Sequence, residues 1–224
     1  VSESFEAQYL NLRATGARGW GDAQFGRRQA AWASSLTTLR SAALLPLPPS
    51  QVLELGCGNG AVSELLAAQG YAVEGVDIST AAIDWAQDRF RNLGLTGVFR
   101  QGDVRDMSDL QGDRYELVID GNCLHCLIGD DRRRCLAEVR RLLTVGGAFI
   151  VSSMCGEPRS EAARAMFDGL SRCLLDLDDG RPTRTLASID GLIGELRQAG
   201  FQVIWQHIAQ NPWWDHLTAV TRVA

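Results

Sequence analysis

Apolar positions along this chain fall into two rhythms, one helical with a period near 3.6 and one of short continuous runs. The helical rhythm comes first, over about Glu3 to Ala14 and Gln24 to Ala43, with "TGARGWGD" between the two segments and "PLPPS" closing them. A β-type run, Val52 to Leu55, then leads into Gly56, Gly58 and Gly60, after which Ala61 to Gln69 resumes a helical pattern stopped by Gly70. The strand "YAVEGVDI" follows, and then a helix from Thr80 whose Ala82, Ile83, Ala86 and Phe90 share one face. Runs at Val98 to Gln101, Tyr115 to Asp120 and "GGAFIVSSM" read as three more strands. Between the last two lies a helix from Asp130 that turns Leu136, Val139, Leu142 and Leu143 inward.

Met166, Phe167, Leu170, Leu174 and Leu177 predict a further helix over Glu157 to Leu177, with "DLDDGRPTR" as a loop. Ser188 caps a last helix that runs to Ala199. The strands "FQVIWQHIA" and "HLTAVTRV", joined through "QNPWWD", end the pattern as an antiparallel hairpin. Strands alternating with helices imply a doubly wound α/β fold: a mostly parallel sheet covered on both faces, with ligands at the carboxyl ends of its strands. Residues 1–50 form a helical leader that partly covers the site. Residues 51–224 form the core, within which 155–187 is an insertion on the substrate side.

Composition narrows the classes. A chain of 224 residues suits one well-buried α/β domain, and a net charge of -5 lacks the basic footprint of a nucleic-acid binder. All 22 basic residues are Arg, so a phosphate-loop lysine and a Schiff-base lysine are both excluded. No run approaches a membrane span and no signal pattern opens the chain, so a cytoplasmic protein with no membrane partner is expected. The six cysteines read as reduced thiols, with no metal site.

The glycine turn is the first candidate site. Its spacing is G-x-G-x-G, with Glu54 in the strand before it and Cys57 contributing backbone, whereas the dinucleotide fingerprint is G-x-G-x-x-G. Asp77 ends the second strand, where a carboxylate can accept from both ribose hydroxyls, and Ile78 beside it can cover an adenine. In "QGDVRDM", Gly102, Asp103 and Val104 follow the third strand, where a carboxylate and a backbone donor can read an adenine edge. Taken singly, each has a structural alternative, Asp77 as a helix cap and Asp103 as a strand end.

In these motifs the chain resembles the class I S-adenosylmethionine-dependent methyltransferases, the seven-strand Rossmann-like family. "LELGCGNG", "VDIS", "GDV" and "YELVIDGN" stand in the family's order, over roughly 51–224. The resemblance implies S-adenosylmethionine as cofactor, S-adenosylhomocysteine as product, and strand order 3-2-1-4-5-7-6. It places Glu54 and Gly56 to Gly60 at the methionine part, Asp77 at the ribose, Asp103 and Val104 at the adenine, and Asp120 with Gly121 near the sulfonium. Trp20 or Arg28 of the leader closes over the cofactor.

Acceptor chemistry is expected on "DGNCLHCLIGDD". Asn122, Cys123, His125 and Cys126 follow the fourth strand, and an Asp/Asn-Pro-Pro-aromatic signature is missing, which removes support for base or glutamine methylation. His125 is the candidate base, with a loop or cofactor hydrogen bond as the other reading of it. Asp215 is a second candidate base and His216 a further contact. Trp213 and Trp214 offer aromatic faces, and Arg159, Arg181 and Arg184 offer positive charge for a carboxylate or phosphate. The expected function is methylation of a nitrogen, oxygen or sulfur of a small, aromatic or heteroaromatic acceptor, by a monomer or homodimer. A peptide or protein methyltransferase and a non-catalytic cofactor-binding domain are the alternatives.

Overall fold

Period-two alternation within single strands decides which helices lie on which face of the sheet. Val52 and Leu53 of β1 (Gln51–Leu55) point to opposite sides, as do Leu117 and Val118 of β4 (Tyr115–Asp120), and all four are buried. The computed structural model describes the backbone of residues 2–224 and the side chains of residues 5–224. It contains α1 (Ser2–Ala14), α2 (Phe25–Ser41), β1, α3 (Ala61–Ala67), β2 (Ala72–Asp77), α4 (Thr80–Leu93), β3 (Val98–Gln101) and β4, in that order. A 3-10 turn at Leu124–Cys126 leads to α5 (Asp130–Leu142) and β5 (Leu143–Cys155). The chain continues as α6 (Glu161–Met166), β6 (Phe167–Asp168), β7 (Cys173–Leu175), β8 (Pro182–Thr185), α7 (Ile189–Gln198), β9 (Phe201–Gln210) and β10 (Asp215–Val223).

The seven-stranded sheet runs β3-β2-β1-β4-β5-β10-β9, the order that the resemblance implies, with β10 antiparallel to both of its neighbours. On one face, Leu36 and Leu39 of α2, Leu66 of α3, and Ile83 and Phe90 of α4 pack on Val52, Leu117 and Ile119. On the other, Leu136 and Val139 of α5 and Leu192 and Leu196 of α7 pack on Leu53, Val118 and Phe149. Arg132 joins the second pair of helices through Glu195, with Nε–Oε1 at 2.8 Å and Nη2–Oε2 at 2.6 Å. Ser79 caps α4 by accepting from Ala82 N, and Ser188 caps α7 by accepting from Gly191 N.

One predicted element is corrected. The helix expected over Glu157 to Leu177 stops at Met166, and Phe167 to Thr185 forms a three-stranded antiparallel sheet, β6-β7-β8. The Asp168 carboxylate accepts from Leu170 N, Ser171 N and the Ser171 hydroxyl, a local turn that competes with helix continuation. Leu170 and Leu177, expected to face inward, are 96% and 70% exposed.

The leader is docked on the core. Glu6 of α1 accepts from Ser79 Oγ at 2.6 Å and from Ala81 N at 3.2 Å, placing a carboxylate at the start of α4. Arg13 pairs with Asp88 further along the same helix. No described helix is long and apolar enough to cross a membrane.

Candidate functional site

The carboxyl ends of β1, β2 and β4 bring three acidic side chains under the leader. The turn after β1 holds Gly56 at φ 59 and Gly58 at φ 53, the left-handed region that disfavours a side chain. Space excludes one as well: a Cβ on Gly56 would lie 2.6 Å from Cys123 Cβ, and one on Gly58 would lie 2.5 Å from Tyr9 Oη. Backbone here therefore approaches its neighbours as closely as the chain allows.

Glu54 is buried, and its Oε2 accepts from Ser63 N at 2.9 Å and Ser63 Oγ at 2.6 Å, tying β1 to α3. Burial pushes its carboxyl up to about 8. Asp77 accepts from Gly58 N at 2.8 Å and from Ser79 N at 2.9 Å, and burial raises it too. It braces the glycine turn, while the capping of α4 falls to Ser79. Asp120 is fully buried; its Oδ1 accepts from Cys123 N at 2.6 Å and Leu124 N at 3.0 Å, and burial lifts it to about 6. Its Oδ2 is buried with no hydrogen-bond partner among the described residues.

Among the described residues, none of these three carboxyls has a cationic partner. Buried acids held this way lack a counter-charge, and the cheapest way to ionise them is a ligand that carries one. S-adenosylmethionine, with a sulfonium and an ammonium, fits that need. Gly121 also fits close approach, since a Cβ there would lie 2.8 Å from Glu54 Oε1.

The other expected cofactor positions are distributed as follows. Ile78 is half-buried beside Asp77, and Gly102 N donates to Asp77 O at 2.9 Å. Asp103 is held by its neighbour: Arg105 reaches both of its oxygens, and that guanidinium keeps the carboxyl below its ordinary value. The Val104 side chain belongs to the core. Cys57 turns its side chain onto β2, where a Cβ on Gly75 would meet it at 2.8 Å, so its part is packing and backbone. Gly60 is the N-cap of α3. Trp20 lies 5.1 Å from the Tyr9 ring, against Ala81 and Ala82. Tyr9 itself, buried over Gly58, escaped the sequence reading. Its only trace there is an aromatic residue among the apolar positions of the first helix.

On the acceptor side, Asn122 takes φ 69 and turns the chain from β4 into the 3-10 turn that carries His125 and Cys126. His125 Nδ1 is buried without a partner among the described residues. Burial first, then the charge of Arg184, pushes its imidazole down to about 3. A group so reluctant to protonate is a poor proton acceptor at neutral pH. His216 Nε2 lies 2.8 Å from Ser152 Oγ, and burial pushes that ring down to about 4. Cys126 is pushed up to about 11 and Cys123 also upward, both by burial, so both are thiols. Among the described residues, no three His, Cys, Asp or Glu gather in a metal-holding group.

Two expectations meet each other here. Arg159 Nη2 lies 2.6 Å from Asp215 Oδ1, so the expected anion binder and the second candidate base are spent on one ion pair. Trp214 packs on Met154, Leu174 and Leu186, which assigns it to structure, while Trp213 is 45% exposed.

A methyltransferase-domain family model matches residues 52–147. The chain is 32% identical to ribosomal RNA small subunit methyltransferase C of Alcanivorax borkumensis, over 46% of this chain and 29% of that protein. It is 30% identical to the ubiquinone biosynthesis O-methyltransferase of Alkalilimnicola ehrlichii, over 49% of this chain and 44% of the relative. The matches thus span less than half the length of these curated relatives. In structure it is similar to 1,6-didemethyltoxoflavin-N1-methyltransferase of Burkholderia thailandensis, solved with its substrate and S-adenosylhomocysteine. That likeness has a TM-score of 0.71 at 20% identity and covers 100% of this chain and 87% of the other. Residues 52–147 thus carry a methyltransferase domain, and the sheet around them has the strand order implied by the resemblance to the class I S-adenosylmethionine-dependent methyltransferases.

Proposed function

We propose that the chain transfers a methyl group from S-adenosylmethionine to a nitrogen, oxygen or sulfur atom of a small acceptor enclosed at the carboxyl edge of the sheet. The observation that carries this reading is the set of three buried acids, Glu54, Asp77 and Asp120, which have no cationic partner among the described residues. When bound, the cofactor supplies a methyl activated by positive sulfur. Glu54 and Asp120 would hold positive charge, and each Asp77 oxygen keeps a lone pair for a hydroxyl beyond the backbone N–H it already accepts.

The cover supports a small acceptor. Tyr9 closes one side over Gly58. On the other, the insertion is stitched to the edge by Thr185 Oγ1 to Leu127 O at 2.8 Å and by Gly156 N to Ala187 O at 2.9 Å. An enclosed site orders the acceptor and excludes water, and orientation alone supplies ~7–11 kcal/mol of barrier lowering in well-aligned cases. Neutral His125 and His216 offer hydrogen bonds that orient an acceptor atom. The test is transfer of labelled methyl from S-adenosylmethionine to a panel of small heteroaromatic phenols, amines and thiols, with peptides and ribosomal RNA alongside. Label on small molecules supports the reading, and label only on peptide or RNA overturns it.

A further inference from the structure

Positive charge is distributed unevenly among the arginines at the carboxyl edge. Arg159 is neutralised by Asp215, Arg172 by Glu157 and Arg181 by Asp179. Arg184, on β8, has no acidic partner among the described residues, nor has Arg28 in the first turns of α2. Four elements contribute to the place where these two meet. β8 is fastened to the chain just after the 3-10 turn through Thr185 and Leu127, which sets Arg184 beside the turn that carries Cys126. His125 stands on that turn with Nδ1 buried and orphaned. His216 comes from β10, held by Ser152. Arg28 approaches from the leader, its Nη1 3.2 Å from where a Cβ on Gly21 would be.

The four groups act on one another. Arg184 and Arg28 both press on His125, Arg28 presses on His216, and Arg184 presses on Arg28. The two guanidinium groups, without an acidic partner among the described residues, repel each other beside two neutral rings, and repulsion of this kind persists where a ligand relieves it. Guanidinium forks match the planar, two-oxygen edge of a carboxylate or phosphate, and the orphaned imidazole adds a donor in the tautomer that carries its proton on Nδ1.

We propose that Arg184 and Arg28, with His125 and His216 between them, form a subsite for an anionic group, a carboxylate or phosphate, carried by the methyl acceptor. This rests on the methyltransferase reading for its meaning, since the subsite lies beside Asp120 and the expected sulfonium position. It narrows the acceptor to acidic molecules: an ammonium acceptor would face two arginines and a sulfonium together. It also moves Arg28 from the cofactor shell to the acceptor shell.

The experiment is calorimetric titration of the free protein and of the protein saturated with S-adenosylhomocysteine, using benzoate, inorganic phosphate and neutral benzamide. S-adenosylhomocysteine binding by itself reports on the methyltransferase reading, so the two ideas fail separately. The expected result is binding of benzoate or phosphate, but not benzamide, to both forms. Arg184→Gln and Arg28→Gln should each weaken the anion by about tenfold or more, as loss of a charge-assisted bond implies. Both should keep S-adenosylhomocysteine affinity within about threefold, which also reports that the variants fold, while Arg181→Gln should leave the anion unaffected. Stronger binding of benzoate than phosphate would identify a carboxylate acceptor, and the reverse a phosphate. Equal binding of benzamide, no loss in either variant, or displacement of the anion by S-adenosylhomocysteine would overturn the subsite.

Discussion

Replacing Glu54 by Gln separates what this buried acid costs the free protein from what it gives the ligand. Gln keeps a carbonyl oxygen to accept from Ser63 N and Oγ but removes the charge. Burial lifts Glu54 from an ordinary 4.5 to about 8. Because the folded value lies above the unfolded one, the group's contribution is intact below about pH 4.5 and is lost as pH rises through 8. Worked from those two values, the cost to the folded state is about 2 kcal/mol at pH 6, about 3 at pH 7 and about 4 at pH 8. Asp120, lifted to about 6, adds little over that window because it is largely ionised in both states above pH 6.

His125 and His216 act in the opposite sense. Their folded values of about 3 and about 4 are depressed, so stability falls as pH drops below the ordinary histidine range. Those opposing slopes hide the Glu54 effect in the wild type alone, and the observable is the difference between the two proteins. Urea denaturation of ligand-free wild type and Glu54→Gln, at pH 6 and pH 8, should show the variant gaining on the wild type by about 2 kcal/mol over that interval. The same variant should bind S-adenosylhomocysteine at least about tenfold more weakly at pH 8, because the ligand's ammonium loses its counter-charge. A difference that does not change with pH would refute the claim that Glu54 is a buried, uncompensated carboxyl.

Other substitutions test the rest of the site. Gly56→Ala should destabilise the protein by about 2 kcal/mol in denaturation and abolish cofactor binding, since its Cβ meets Cys123 at a φ of 59; an unperturbed melt would sink the close-packing argument. Asp77→Ala should cost at least about 1.5 kcal/mol of S-adenosylhomocysteine affinity in calorimetry, and unchanged affinity would remove its assigned role. Methyl transfer should show no inflection between pH 6 and 8 that disappears in His125→Gln, because the ring protonates at about 3 in the folded chain; such an inflection would restore His125 as the base. Arg132→Ala should destabilise by about 3–5 kcal/mol, leaving Glu195 without its partner, and a loss under about 1 kcal/mol would show that the pair is dispensable.

The sheet was legible because its signals are local. Val52 to Leu55 before three glycines, Asp77 at a strand end and the continuous apolar run of β4 each follow from a few adjacent residues. The insertion was not, because Met166, Phe167, Leu170, Leu174 and Leu177 satisfy a helical period while Asp168 and Ser171 break the backbone through side-chain bonds that periodicity does not register. Within the site, Glu54 is legible inside the strand before the glycines and Asp77 at a strand end, while Asp120 comes from the family resemblance. The pairing of Arg159 with Asp215 and the seat of Tyr9 over Gly58 were invisible, since each joins residues far apart in the chain. His125 was found by type and position, yet its role depended on burial and on Arg184, which only the folded chain reveals.

The most direct test of the central claim is calorimetric titration of the purified protein with S-adenosylmethionine, S-adenosylhomocysteine and NAD. Binding of both adenosyl compounds, tightening between pH 6 and pH 8 as Glu54 ionises, with no binding of NAD, is what the three buried acids predict. Binding of NAD alone, or adenosyl affinity that is flat across that range, would contradict a site built around an uncompensated carboxyl.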